Sequence, residues 1–152
     1  MEDFQKALNY SYLLLKYRPR SKQEIVFRLK KKKFSSSLIE KVISRLEEYN
    51  YINDSEFARL FASSCQTKGW GPKKILFALK RLGISSELVE QVLKDKSYRE
   101  KMREMIEKKI VRYKGSKGVY QKLLRYLGKK GFDYQEIIQE LDAMGVDRFE
   151  DR

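Results

Sequence analysis

Apolar residues recur at helical spacing along almost the whole chain, and turn residues break the runs at regular intervals. Phe4, Leu8, Tyr12 and Leu15 fall close to one face of a helix over residues 3–17. Arg18-Pro19-Arg20 ends it, because Pro pushes the preceding residue out of the α region. Ser21 is placed as an N-cap, and Glu24 completes a capping box for a second helix whose buried stripe is Ile25 and Leu29. Phe34 opens a turn, and Ser35 caps a third helix with Leu38, Ile39, Val42, Ile43 and Leu46 inward.

The same grammar continues. Asn53 to Glu56 offers another box before a helix that reaches about Thr67, on which Phe57, Leu60 and Phe61 face one way. Lys68-Gly69-Trp70-Gly71-Pro72 is a break, and Pro72 suits a first helical turn. Ile75 and Leu79 carry the next helix. Ile84 turns it, Ser85 caps, and Leu88, Val89, Val92 and Leu93 follow. The charge-dense stretch 97–113 keeps a stripe of Met102, Met105, Ile106, Lys109, Ile110 and Tyr113, ahead of a basic loop at 114–118. Then come Leu123 and Leu127, a turn at Phe132, a cap and box at Asp133 and Glu136, and Ile137 and Leu141. The acidic tail after Gly145 is expected to fray.

A shift of 50 residues lays Ile25, Leu29, Phe34, Leu38, Ile39, Val42 and Ile43 on Ile75, Leu79, Ile84, Leu88, Val89, Val92 and Leu93. A further shift of 48 reaches Leu123, Leu127, Phe132, Ile137 and Leu141, with Glu136 and Glu140 interrupting the apolar match. The sequence therefore predicts an all-α protein of tandem three-helix repeats, about nine helices in an elongated, curved arrangement. The repeats are expected at residues 1–52, 53–94 and 95–152. One such unit buries little alone, so neighbours must complete its core.

Composition agrees. In 152 residues, 41% are hydrophobic and 36% charged, with two Pro, which suits long helices with solvated faces. The net charge is +13, distributed as +6 over residues 1–52, +3 over 53–94, +9 over 95–131 and −5 over 132–152. A field of that sign favours a polyanion or an acidic protein surface. No apolar run is long enough to span a bilayer and no signal peptide opens the chain, so no membrane role and a cytoplasmic location are expected.

Catalysis is not expected. The chain has no His, no phosphate-binding glycine loop and no metal-ligand spacing, so no metal and no cofactor are assigned. Cys65 is alone and reads as a small buried residue. The basic residues are more informative. Under the two shifts Lys31, Arg81 and Lys129 coincide, as do Lys30 and Lys80. With Arg28, Lys32, Lys33, Lys73, Lys74, Lys122, Arg125 and Lys130 they make a candidate basic stripe for a phosphate backbone or an acidic partner. The plainer reading is a set of solvated helix ends, where lysine favours the helix dipole. Phe27 and Phe77 also coincide; core or inter-repeat packing is expected of them, ahead of stacking on bases. Trp70 is expected to cover the following helix.

The stretches Tyr12 to Ile25, Leu46 to Arg59 and Gly69 to Ile75, with Leu79 and Gly83-Ile84, resemble the RecX family over about residues 10 to 93. The resemblance implies an all-helical modular protein that binds the nucleoprotein filament of the RecA recombinase along its helical groove. It implies an inhibitory regulator of ATP hydrolysis, strand exchange and filament dynamics, within homologous recombination, DNA repair and the SOS response. It supplies no catalytic residues. The implied partners are the RecA filament and single- or double-stranded DNA, met directly or through the filament, by a monomer. The rival reading is an autonomous helix-turn-helix-like DNA-binding protein.

Overall fold

The computed structural model describes residues 1–94 and 97–148. The end of the acidic tail, residues 149–152, lies outside the described residues. Within them are nine helices and no strand: α1 (Glu2–Tyr17), α2 (Lys22–Lys31), α3 (Ser36–Glu48), α4 (Asp54–Thr67), α5 (Pro72–Arg81), α6 (Ser86–Lys94), α7 (Tyr98–Arg112), α8 (Val119–Lys130) and α9 (Tyr134–Ala143). The caps are where the sequence places them. Ser21 accepts from the Glu24 backbone N–H at 3.2 Å while the Glu24 carboxylate accepts from the Ser21 N–H at 3.0 Å. Ser35, Asn53, Ser85 and Asp133 cap α3, α4, α6 and α9 through their side-chain oxygens.

The chain forms two compact units. Unit 1 holds residues 1–61 and 79–92; unit 2 holds residues 62–78 and 93–152. In unit 1, α1, α2 and α3 pack on one another around Ile25, Leu29, Val42 and Leu46, all fully buried. In unit 2, α7, α8 and α9 do the same around Met102, Ile106, Leu123, Leu127, Ile137 and Leu141. The unit of packing is therefore not cut at the same points as the repeat of sequence.

One device explains the difference. In unit 1 the start of α2 meets the turn between α5 and α6: the Ser21 hydroxyl donates to the Leu82 carbonyl at 2.6 Å, and a Cβ built on Gly83 would lie 2.5 Å from Gln23 Cβ. In unit 2 the start of α5 meets the turn between α8 and α9. There the Gly71 N–H donates to the Lys130 carbonyl at 2.7 Å, and the Lys73 N–H to the Gly131 carbonyl at 2.9 Å. Residues 21 and 71 coincide under the sequence shift, as do 82 and 130. The same interlock is thus made twice, once by a side-chain hydroxyl and once by a backbone amide.

Several expected faces are rotated. On α1 the buried positions are Ala7, Leu8, Ser11 and Leu14, while Phe4, Tyr12 and Leu15 are only partly buried against that core. Ser11 is tolerated inside because its hydroxyl donates to the Ala7 carbonyl at 2.9 Å. On α4, Leu60 is exposed, and Phe57, Ala58, Ala62 and Cys65 face inward. Ile110 is exposed near the end of α7. Glu140, which interrupts the apolar register, is 2% exposed: Arg103 bonds its carboxylate at 2.6 Å and Arg99 lies at 3.8 Å. Charge pairing with α7 supplies there what Val42 supplies by burial in unit 1.

Candidate functional site

The candidate cations sit on the second helix of each three-helix unit and on the turn after it. On α2, Arg28, Lys30 and Lys31 are exposed, and Lys32 and Lys33 follow on the exposed turn. On α5, Lys80 and Arg81 are exposed in the last turn. On α8, Arg125 and Lys129 are exposed, and Lys122 and Lys130 are partly buried. These positions follow from the fold. The buried stripes Ile25–Leu29, Ile75–Leu79 and Leu123–Leu127 fix the inner face, so residues one or two places further along point outward.

Not all of the candidates are equally free. Lys73 pairs with Asp133 at 3.2 Å and takes part in the interlock. That hydrogen bond, helped by the backbone N–H groups of Glu136 and Gln135, holds the Asp133 carboxyl below its usual range against slight burial. Lys74 lies over the Trp70 ring at 4.3 Å and packs on Gly131. Trp70 thus meets the helix that follows it through Lys74, near the start of α5. Lys31 lies over Phe27 at 5.4 Å and Lys32 over Tyr10 at 5.2 Å. Lys122 lies over Tyr113 at 5.5 Å and Lys130 over Tyr126 at 5.8 Å.

Two features depart from the sequence reading or were missed by it. Phe27 and Phe77 are not core residues; they are 58% and 70% exposed. The apolar stripe is narrow, and position 27 lies two residues past the buried Ile25, on the outer side. The recurring outward set is then Phe27, Lys30 and Lys31 on α2, and Phe77, Lys80 and Arg81 on α5. On α8 the aligned positions are Arg125, Gly128 and Lys129. The second feature is a further group of cations in unit 2, Lys68, Lys101, Lys108, Lys109 and Arg112, which line one cavity with Tyr126. Apart from Lys68, which the 50-residue shift lays on Arg18, they carry no repeat signal, so the shift that found the first set could not find them.

Cys65 is buried, and burial pushes its thiol up from the ordinary range, which is the opposite of what a nucleophile needs. Among the described residues no group of three or more His, Cys, Asp or Glu side chains is gathered for a metal. No described helix is long and apolar enough to cross a membrane.

Family models for RecX match the two parts that carry the sequence repeat: the first three-helix domain over residues 7–46 and the second over residues 53–93. The chain belongs to the RecX family. Similar proteins include the regulatory protein RecX of Bacillus velezensis, 36% identical over 106 residues, which are 69% of this chain and 40% of that protein. That of Bacillus subtilis is 35% identical over 106 residues, with the same coverage of 69% and 40%. The chain therefore spans about 40% of the length of these Bacillus RecX proteins. The RecX of Prosthecochloris aestuarii is 37% identical over 94 residues, 61% of this chain and 62% of that one.

Two solved RecX structures share the fold. The crystal structure of RecX from Lactobacillus salivarius superposes with a TM-score of 0.84 at 25% identity, over 96% of this chain and 99% of that chain. A second regulatory protein RecX gives 0.75 at 23% identity, over 91% and 71%. The tandem three-helix, all-α architecture is thus common to this RecX family member and its structural neighbours.

Proposed function

We propose that this chain regulates the RecA recombinase by binding the RecA–DNA filament along its helical groove, and that it lowers ATP hydrolysis and strand exchange. The reading rests on the family and on one observation: an exposed aromatic and two cations recur at the same place on α2 and α5, and the cation at the second of these places recurs on α8 as Lys129. Recurrence at fixed helical positions suits a partner that itself repeats, as a filament does. Phe27 and Phe77 supply exposed aromatic anchors that a partner would desolvate, of the kind that dominate interfaces, and the cations around them select an acidic protein surface, DNA phosphate, or both. The protein acts as a cytoplasmic monomer without a catalytic step of its own.

The test is inhibition of DNA-dependent ATP hydrolysis by RecA. Reversal of Lys31, Arg81 and Lys129 to Glu is expected to abolish inhibition while helix content is kept. Phe27→Ala with Phe77→Ala is expected to weaken it at least tenfold. Undiminished inhibition by both variants would remove these helix faces from the mechanism. The rival, an autonomous reader of duplex DNA, requires a base-reading cluster of Arg, Asn and Gln on one helix, whereas α2 exposes only Gln23 and Arg28 of these types, α5 Arg81, and α8 Gln121 and Arg125. A gel shift with duplex DNA, with and without RecA, separates the two readings.

A further inference from the structure

The interlock joins the start of a second helix to the glycine turn of the following repeat, and the chain holds three such starts. The sequence shifts align Ser21, Gly71 and Val119. Ser21 and Gly71 are buried where they meet the turns at Leu82 and Lys130. Val119, which opens α8, is only half-buried. Beside it a groove of about 350 Å³ opens on unit 2, between the end of α7, the loop 114–116 and the chain leaving α9. Ile110, Tyr113, Val119, Met144 and Val146 give it an apolar lining. The 48-residue shift lays Ile110 and Tyr113 on Ala62 and Cys65; those two are buried, whereas Ile110 is exposed.

The turns follow the same rule. Ile84 and Phe132, next to the glycines of the two seated turns, are buried. Phe34, at the same place on the first turn, is only partly buried. A Cβ on Gly83 would lie 2.5 Å from Gln23 Cβ, and one on Gly131 2.5 Å from Lys74 Cβ. The first turn carries Lys33 at that place. Among the described residues, then, both glycine turns between a second and a third helix are taken, and the remaining turn bears a side chain where the seat admits none.

We propose that the groove beside Val119 is a docking site for a second polypeptide of this architecture, which seats there a helix–helix turn made of a glycine at positive φ followed by a large apolar residue. The groove stands where the chain twice makes the same interface within itself. Its charged residues are Lys114 and Asp147, which balance, so the groove selects neither a polyanion nor a strongly acidic surface. Val119 has a Cβ, as Ser21 has, so the close backbone approach of Gly71 is barred and the turn sits as in the first interlock, with a side chain between the two backbones. Burial of the apolar residue replaces the bond made by the Ser21 hydroxyl. A second copy of this chain does not qualify, because of Lys33.

The proposal rests on the interlock and not on the filament reading, and its test needs no RecA. Lys33 is the obstacle that keeps the chain from being its own partner, so Lys33→Gly should remove it; Phe34 already follows. Groove to turn is a head-to-tail contact, which extends into open assemblies. Sedimentation velocity of the full chain at rising concentration reads it. The wild type is expected to remain one species, and the Lys33→Gly protein to gain at least about twofold in weight-average mass. Lys33→Ala removes the same charge but keeps a Cβ, and should sediment as the wild type does. Val119→Glu or Ile110→Glu, each added to Lys33→Gly, should abolish assembly. Val119 is half-buried and Ile110 exposed, on two different helices, so helix content by circular dichroism should be kept and either variant can decide. A Lys33→Gly protein that sediments as the wild type at every concentration would overturn the proposal. Equal assembly by Lys33→Ala would do so too, because lost charge would then explain it. Assembly that survives both groove variants would place the contact on another surface and overturn it as well.

Discussion

Gly71 is where the interlock in unit 2 is most sharply tested. An Ala there would place its Cβ 2.5 Å from the carbonyl carbon of Gly131, 2.6 Å from its oxygen and 2.6 Å from the Phe132 nitrogen. All three are backbone atoms, so no rotamer change relieves the collision, and the two segments must part. They are joined by Gly71 N–H to Lys130 at 2.7 Å and Lys73 N–H to Gly131 at 2.9 Å. Losing both costs about 1–3 kcal/mol, at roughly 0.5–1.5 each. Disturbed packing around the buried Phe132 adds about 1–3 kcal/mol. The reduced entropy of the unfolded Ala chain returns about 0.4–1 kcal/mol. The net expectation is a destabilisation of about 1–6 kcal/mol, centred near 3, a fall in Tm of roughly 6–12 °C at that centre for a chain of this size. Urea unfolding followed by far-UV circular dichroism measures it. The fluorescence of Trp70, the residue next to the collision, reports on the site itself. Gly115→Ala is the control: its φ is +82° but nothing lies within 4 Å, so it bears only the backbone cost of about 1–2 kcal/mol. A Gly71→Ala protein as stable as the wild type would mean that the two turns are not held together as described.

Two other perturbations probe unit 2. Glu140→Ala should cost about 1–3 kcal/mol in urea unfolding, below the usual cost of breaking a buried pair because Arg99 and Arg103 are 52% and 56% exposed and can rehydrate. Glu140→Val installs the residue found at 42 and 92 and should cost less than about 1 kcal/mol; a loss above 3 would refute the view that charge here replaces burial. Asp133 gives a pH signature. Its folded carboxyl titrates below the unfolded value of about 4, so its stabilisation is complete above that pH and is lost as pH falls through the folded value. Asp133→Asn, which keeps a capping oxygen, should flatten that part of the acid limb, and an unchanged limb would count against the Lys73 contact.

The helices were legible because their punctuation is local. Ser21 with Glu24, Ser35, Ser85 and Asp133 each announce a helix start within four residues, and the structure uses every one as a cap. What was not legible depends on partners distant in sequence. Glu140 reads as a break in an apolar stripe until Arg99 and Arg103 are brought to it from α7. Phe27 and Phe77 read as core because aromatic residues usually are; only the narrowness of the Ile25–Leu29 and Ile75–Leu79 stripes puts them outside. The cavity cations come from α4's end and from α7, with Tyr126 from α8, and share no spacing that a repeat search rewards.

The turn after the second helix ties architecture to charge. Residues 33, 83 and 131 coincide under the sequence shifts, and all three have positive φ, at +68°, +81° and +100°. Lys33 demonstrates that the conformation alone tolerates a side chain. At 83 and 131 the limit is the neighbour: a Cβ would lie 2.5 Å from Gln23 Cβ in one case and 2.5 Å from Lys74 Cβ in the other. Glycine is therefore demanded by docking, and the residue type at this place records whether another segment is seated on the turn. Lys33 is exposed, and the unbroken run Lys30 to Lys33 continues through that turn. Where the turn is occupied, the cations retreat to the helix before it, as Lys80 and Arg81 on α5 and Lys129 on α8. Packing thus decides where charge can be displayed, and the unequal basic clusters follow from one repeated interlock.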